Sequence, residues 1–445
     1  MKKVLATILA LVMALGLCSV SWAAEPTSVN SAEGLKTAIA TGGEIILSGS
    51  IEVSEPLSVG TVVTINLNNQ TITGKSGESG RRVFNVVAGG SLTLTGSGTI
   101  TTANSNDATF LNSSSVIRVG DDTNGAACGL VVGKDVKIIA PASYGIAVFG
   151  KNTKQTLEVS GTVTAKEASA ISGNGGHSYT ETEITINDGA TIISENNVAV
   201  YHPQAGTLTV KAANITGSGG IEIKSGTANV NVAGANIKAT GNVDHTVNND
   251  GTSSRGYAIA VVENPGYKGA PSAVIQNGEF VGAMGILKDG EVSAEEKKGS
   301  LAIHAGSFTV NVNDYVTGNT PVASNNGTYY VGEETIQNAA KNLSAGQELV
   351  IRKGTVRLMD VPAGVIVRPE HDTVVFVNGK DISNEFDGYT VPQSSGYYYY
   401  QPTTDTKTDN TKGSPKTFDA GIALYVGMAL TSAAGVAFVG KKRED

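Results

Sequence analysis

Cysteine is nearly missing from this chain of 445 residues: there are two, and Cys18 falls in a leader expected to be removed. That leaves Cys128 alone, which excludes an intrachain disulfide and any metal site built on cysteine pairs. The simplest role for Cys128 is that of a small buried apolar residue. Aromatic residues are also scarce at 5%, and charged ones make up only 16%. Glycine is plentiful, with 55 copies, but it does not recur at every third position, so collagen is excluded. No glycine-rich loop leads into a helix as a phosphate cradle would, so the glycines read as turn residues. Histidines number five and show no His-x-x-x-His spacing; His202, His304 and His371 are expected at turns or on the surface. A 40% share of hydrophobic residues is enough to bury a core, which rules out disorder throughout. Thr, Asn and β-branched residues favour many short strands over helices.

The two ends read as addresses. Lys2 and Lys3 precede an apolar run over 4–17, and Ser21-Trp22-Ala23 follows, the pattern of a secretory signal peptide cut after Ala23. As a helix, this run would rise about 21 Å, too short to cross a bilayer. Leu17 before Cys18 argues against lipidation. At the far end, 420–440 is apolar and Lys441-Lys442-Arg443 follows; such a helix would be about 31 Å long, enough to span, with its basic end in the cytoplasm. Ser414-Pro415-Lys416-Thr417 just before it resembles the sorting signal of Gram-positive surface proteins. The family's motif, Leu-Pro-x-Thr-Gly, is cut after Thr by sortase and joined to peptidoglycan. Pro415 and Thr417 match, Ser414 stands for Leu, and Phe418 replaces the family's Gly. A plain membrane anchor is the alternative, and both readings put the body outside the cell. Between the ends, residues 24–417 hold 27 basic and 37 acidic side chains, a balance that repels phosphate backbones and argues against nucleic acid as a partner.

One phrase recurs along the body: two apolar residues two apart, a turn, then a third apolar residue. It occurs at Ile65/Leu67/Ile72, Leu92/Leu94/Ile100, Leu130/Val132/Ile138, Leu157/Val159/Val163 and Ile184/Ile186/Ile192. It continues at Leu208/Val210/Ile215, Val230/Val232/Ile237, Ala273/Ile275/Phe280 and Leu301/Ile303/Phe308. Six of the eight intervals between these phrases fall between 22 and 28 residues. Apolar residues at i and i+2 share one face of a strand. Further strand-like runs lie between the phrases, as at 144–149, 198–201, 221–223 and 257–262. Each repeat therefore carries about three short strands and cannot bury its apolar face alone. Stacking at about 4.8 Å per coil solves this and predicts a right-handed parallel β-helix. Asn214 and Asn236 hold the same place in consecutive coils and are expected to form an asparagine ladder along the axis.

The chain resembles the pectin-lyase-like superfamily of parallel β-helices, in particular the extracellular solenoids of Firmicutes. The resemblance rests on Ile65-Asn66-Leu67-Asn68-Asn69-Gln70-Thr71-Ile72-Thr73-Gly74, Gly306-Ser307-Phe308, Asn313-Asp314-Tyr315 and Gly327-Thr328-Tyr329-Tyr330-Val331. It implies a fold and a surface location, and little about activity.

Five parts are expected: a signal peptide over 1–23, the β-helix over 24–331, a partial repeat over 332–391, a stalk over 392–413 and the sorting signal with its transmembrane helix over 414–445. Asn30 and Glu33 read as a helix N-cap and its partner, opening a helix that closes the N-terminal end of the core. A second helix over 336–343, followed by an apolar strand, repeats that order, and Asn378-Gly379 predicts a hairpin turn. The four-tyrosine run Tyr397–Tyr400 is expected to pack on the preceding unit.

Chemistry is expected where loops leave the solenoid. One insert, over 104–127, holds Asp107, Arg118, Asp121 and Asp122. Two more, over 241–255 and 263–272, hold Asp244, His245, Asp250, Arg255, Glu263, Tyr267 and Lys268. The catalytic candidates are Asp121, Asp122, Asp244, His245 and Arg255. Polysaccharide lyases of the superfamily use acidic residues to hold Ca²⁺ and an Arg or Lys as base; Asp121, Asp122 and Asn124 would supply oxygens and Arg255 the base. The polygalacturonase order of Asp-Asp, Gly-His-Gly and Arg-Ile-Lys is only echoed by Asp121-Asp122, Gly176-His177-Ser178 and Glu222-Ile223-Lys224, which lack the second glycine and the arginine. No complete catalytic set results. The sequence therefore favours a non-catalytic, envelope-anchored protein that binds a glycan or cell surface, with no cofactor. An anchored lyase or hydrolase, with Ca²⁺ if a lyase, is the alternative.

Overall fold

The computed structural model describes residues 25–75, 82–103, 114–120, 126–148, 154–175, 182–230, 234–292 and 298–393. The signal peptide with Ala23, the stalk from 394 on with its tyrosine run, Ser414, Pro415, Lys416, Thr417 and the apolar stretch 420–440 lie outside the described residues, as do Asp121 and Asp122. Among the described residues no helix is long and apolar enough to cross a membrane.

Three long sheets make a parallel β-solenoid. Successive strands of one coil go to the first, second and third sheet in turn, and each strand pairs with its equivalent one coil on. Among the described residues the first sheet has eleven strands, from Thr27–Val29 to Ser300–Ile303, and the third has nine, from Leu57–Val59 to Ala283–Lys288. The second begins at Ile51–Val53, runs parallel to Gly306–Phe308, then continues with antiparallel pairs and one further parallel pair, Glu348–Lys353 with Ile366–Pro369.

Side-chain alternation explains the interior. In the second sheet Ile51, Ile72, Ile100, Ile138, Val163, Ile192, Ile215, Ile237, Phe280 and Phe308 stack in direct register. All of them are buried. Every third apolar member of the sequence phrases belongs to this column. In the first sheet seven of the nine phrases stack as aligned in the sequence, but two slide by two residues. Val63, not Ile65, stacks on Leu92, and Ala228, not Val230, stacks on Leu208. A slide of two leaves the inward face unchanged, so hydrophobic pattern alone does not distinguish the registers.

Helix α1 (Ala32–Thr41) buries Leu35, Ala38 and Ile39 against the first coil. Its N-cap is Ser31, whose hydroxyl accepts from the Gly34 amide at 3.2 Å, rather than Asn30. At the other end, Thr328–Val331 pairs antiparallel with Gly306–Phe308, the last strand of the parallel run, and Val322–Asn325 pairs antiparallel with Thr328–Val331. Beyond them, α2 (Glu333–Lys341) leads into Glu348–Lys353 and Thr355–Leu358, which pair in parallel with Ile366–Pro369 and Val374–Val377. This is again a helix followed by two-strand coils, with its own core that includes Ile336, Leu349, Ile351, Val356, Val367 and Val375. Asn378-Gly379, both at positive φ, form the hairpin turn between Val374–Val377 and Lys380–Asp381.

Asn214 and Asn236 are direct register partners in the second sheet, and both are exposed on its outer face. Cys128 is buried. His202 departs from the surface position expected of it: it is fully buried at the inward end of Val198–His202. Its alternation with Val198 and Val200 carries it into the interior, which the neighbouring Pro203 had obscured.

Candidate functional site

Two inserts fold back over the outer face of the third sheet. Along Val198–His202 and Gly219–Ile223, Val200 and Ile221 point inward, while Tyr201 and Glu222, register partners, point outward. Outward residues of a solenoid normally meet water, yet Tyr201 is 2% exposed and Glu222 is 0% exposed. The cover is a short antiparallel hairpin, Asp244–His245 with Ser254–Arg255.

Glu222 holds the returning arm of that hairpin. Its carboxylate accepts the Ser253 amide at 2.9 Å, the Ser254 amide at 2.8 Å and the Ser254 hydroxyl at 2.7 Å. Lys224 lies 3.2 Å from Glu222, is bonded to Asp289, and donates to the Gly251 carbonyl. Gly251 sits at φ 87° in the hairpin loop, and a Cβ there would meet the Tyr201 hydroxyl at 2.8 Å. Glycine thus lets one carbonyl accept from both Lys224 and, at 3.0 Å, the Tyr201 hydroxyl. The Asp289 carboxylate also pairs with the His245 Nε2 at 2.9 Å and accepts from Asn264 at 3.2 Å. Asp250 fastens the loop tip, accepting from Asn197 at 2.6 Å and from the Thr252 hydroxyl at 2.7 Å. The second insert adds Tyr267, whose hydroxyl lies 3.2 Å from that of Tyr201.

Charge follows from this geometry. Burial works to lower the Lys224 ammonium, but Glu222 and Asp289 outweigh it and hold the group above the ordinary lysine value. Burial works to raise Asp289, while hydrogen bonds from Lys224 and His245 outweigh it and keep the carboxyl below its ordinary value. Burial, with Tyr267 and Glu222 nearby, pushes the Tyr201 phenol well up. Lys224 is therefore held as an ammonium and Asp289 as a carboxylate, and with Glu222 they form a buried, internally bonded set that acts as a clasp.

Of the candidates from sequence, Asp244 and Arg255 face each other across the hairpin, and His245 joins the clasp through Asp289. Asp244 accepts from Thr246 at 3.2 Å, and Arg255 is exposed. Asp121 and Asp122 lie outside the described residues. Arg118 stands on the same sheet two coils before Ser172, between Asn85 and Ala147 in register. Burial and the Arg118 charge bring the nearby Arg82 down to about 10. Glu263 is buried and accepts the Gly299 amide at 2.9 Å.

Tyr201 and Asp289 were not singled out from sequence, and Glu222 and Lys224 entered there only through the incomplete polygalacturonase echo of Glu222-Ile223-Lys224. Ile221-Glu222-Ile223-Lys224 carries the signal in its alternation, which puts Glu222 on the outer face, but nothing local tells that an insert about 30 residues on lies above it. Among the described residues no group of three or more His, Cys, Asp and Glu side chains is arranged to hold a metal ion. What the clasp leaves exposed is an outer surface: Val243 at 63%, Val247 at 58%, Arg255, and the His245 side chain at 29%. In comparisons with known proteins, no family model matches the chain, and no curated protein or solved structure matches it either.

Proposed function

We propose that this is a secreted, envelope-anchored surface protein, a right-handed parallel β-helix whose role is non-catalytic binding of an extracellular glycan or cell-surface ligand. The observation that carries this reading is the clasp. The 241–255 insert is pinned to the solenoid by the buried side chains of Glu222, Lys224 and Asp289. Buried ion sets contribute little net stability, and one role they serve is fixing a single arrangement. Pinning a loop in advance lowers the ordering cost of binding, so Val243, His245 and Val247 are presented as a prepared surface. The ends support the location: a signal peptide cut after Ala23, a stalk over 392–413, the sortase motif Ser414-Pro415-Lys416-Thr417, and a transmembrane helix that holds the chain in the cytoplasmic membrane until it is joined to peptidoglycan.

The test is a glycan and mucin array, with whole-cell binding, for the full chain and for Val243→Ser/Val247→Ser. Binding by the wild type that falls in the variant supports the role; a wild type that binds no surface or glycan removes it. Anchoring is read separately: Pro415→Ala/Thr417→Ala should move the protein from the wall fraction to the membrane or medium.

An anchored polysaccharide lyase or hydrolase is the second reading. It is favoured by the His245–Asp289 pair, a partly exposed imidazole backed by a buried carboxylate. Incubation with pectin, alginate and glycosaminoglycans, with Ca²⁺ present, decides it; new unsaturated ends or reducing ends lost in His245→Ala would establish catalysis.

A further inference from the structure

A cleft lies far along the chain from the clasp. It sits on the outer face of Val322–Asn325, Glu348–Lys353 and Ile366–Pro369, has a volume of about 400 Å³ and is lined by Ser324, Asn325, Glu348, Arg352 and Arg368, among others. Alternation separates the two faces of these strands. Leu349, Ile351 and Val367 point into the core, while Ser324, Val350 and Arg368 form an outward row in register.

The polar groups in the cleft are held by one another and by their neighbours, Arg352 on three sides. The Arg352 Nε donates to the Ser324 hydroxyl at 2.7 Å, its Nη1 donates to Glu370 at 2.7 Å, and its guanidinium lies 5.7 Å from the centre of the Tyr329 ring. The Arg368 Nε and Nη2 donate to the two carboxylate oxygens of Glu348 at 2.7 and 3.4 Å. Asn325 donates to the Glu348 carbonyl at 2.7 Å. Partly exposed ion pairs of this kind add little to stability, so folding energy does not account for the arrangement. What it does achieve is a fixed pattern of donors and acceptors, because each guanidinium retains N–H groups beyond those already used.

We infer that this cleft binds a neutral, hydroxyl-rich saccharide ring. Two arginines and two glutamates cancel, so an acidic ligand would find each guanidinium already matched to a carboxylate. A sugar hydroxyl both donates and accepts, and so can use guanidinium, carboxylate, amide and serine groups set side by side. Since the groups are held before the ligand arrives, little side-chain freedom is lost on binding. The site is separate from the clasp and stands without the function proposed for it.

The experiment is saturation-transfer NMR on the full chain with the methyl glycosides of glucose, galactose, mannose and N-acetylglucosamine, and with galacturonic acid for comparison. At least one neutral glycoside should bind, more tightly than the uronic acid. Arg352→Gln/Arg368→Gln should weaken it about tenfold or more, as loss of hydrogen bonds from charged donors implies. Arg368→Lys keeps the charge but loses the two-pronged contact, and should weaken binding while the melting temperature stays close to wild type. The inference is overturned if no neutral glycoside binds, if the double variant binds like wild type, or if the uronic acid is preferred. Glycoside binding kept while Val243→Ser/Val247→Ser abolishes cell binding would uphold both sites as independent. Glycoside binding kept with no cell binding by wild type would count against the clasp reading alone.

Discussion

Glu222 and Lys224 form a 3.2 Å ion pair at the end of one strand, with side chains 0% and 1% exposed. Residues two apart on a strand share a face, so the pair was brought together by strand geometry and sealed by the insert that Glu222 itself holds down.

Removing one member should be far worse than removing the charges together. Lys224→Met leaves Glu222 and Asp289 buried without their cation, and should destabilise the protein by about 3–5 kcal/mol. Urea unfolding measures this, and amide exchange over residues 243–255 should quicken in the same variant. A triple change to Glu222→Gln, Lys224→Met and Asp289→Asn should recover part of the loss.

His202 makes stability fall on mild acidification. Burial, only partly offset by the Gly206 backbone, lowers its pKa from 6.5 to about 4, so the unfolded chain binds the proton more readily than the folded one. Stability is therefore intact above about pH 6.5 and falls as pH drops toward 4, by a total of about 3 kcal/mol. His202→Leu should flatten this part of the profile in melting experiments between pH 7 and 4.

The end of the interior column rests on two aromatic rings. Phe280 and Phe308 stack with centroids 5.0 Å apart and planes 8° from parallel. Phe308→Ala should cost about 3–5 kcal/mol, the loss of a fully buried aromatic ring plus the cavity it leaves. Denaturant titration would show it as a lower midpoint.

Gly206 is a backbone requirement. Its φ is 122°, and a Cβ would stand 2.1 Å from the Thr182 carbonyl one coil away. Gly206→Ala should destabilise by more than about 1–3 kcal/mol, since strain adds to a clash with backbone that has no free rotamer. Thermal unfolding checks it.

The sequence was most legible where the physics is periodic. The column from Ile72 to Phe308 could be read residue by residue, because one inward Ile, Val or Phe per coil repeats with strand alternation. First-sheet register was less legible: Val63 and Ile65 present the same face, and only the pairing of neighbouring coils chooses between them. The α1 cap slipped from Asn30 to Ser31 for a similar reason, since both residues cap helices well and the hydroxyl geometry decides.

Composition and periodicity by themselves determined that this chain stacks parallel coils around an apolar column, because that pattern has to bury its own repeats. They also pointed to the 241–255 insert, through the length by which it breaks the period. Only the tertiary structure decided what that insert rests on. Glu222 meets Ser253 and Ser254, and Lys224 meets Asp289, across 31, 32 and 65 residues of chain, and contacts at such separations leave no local pattern in the sequence. The same holds for Arg352 and Arg368, whose cleft exists because parallel pairing sets Val350 beside Arg368 and antiparallel pairing sets Ser324 beside Val350.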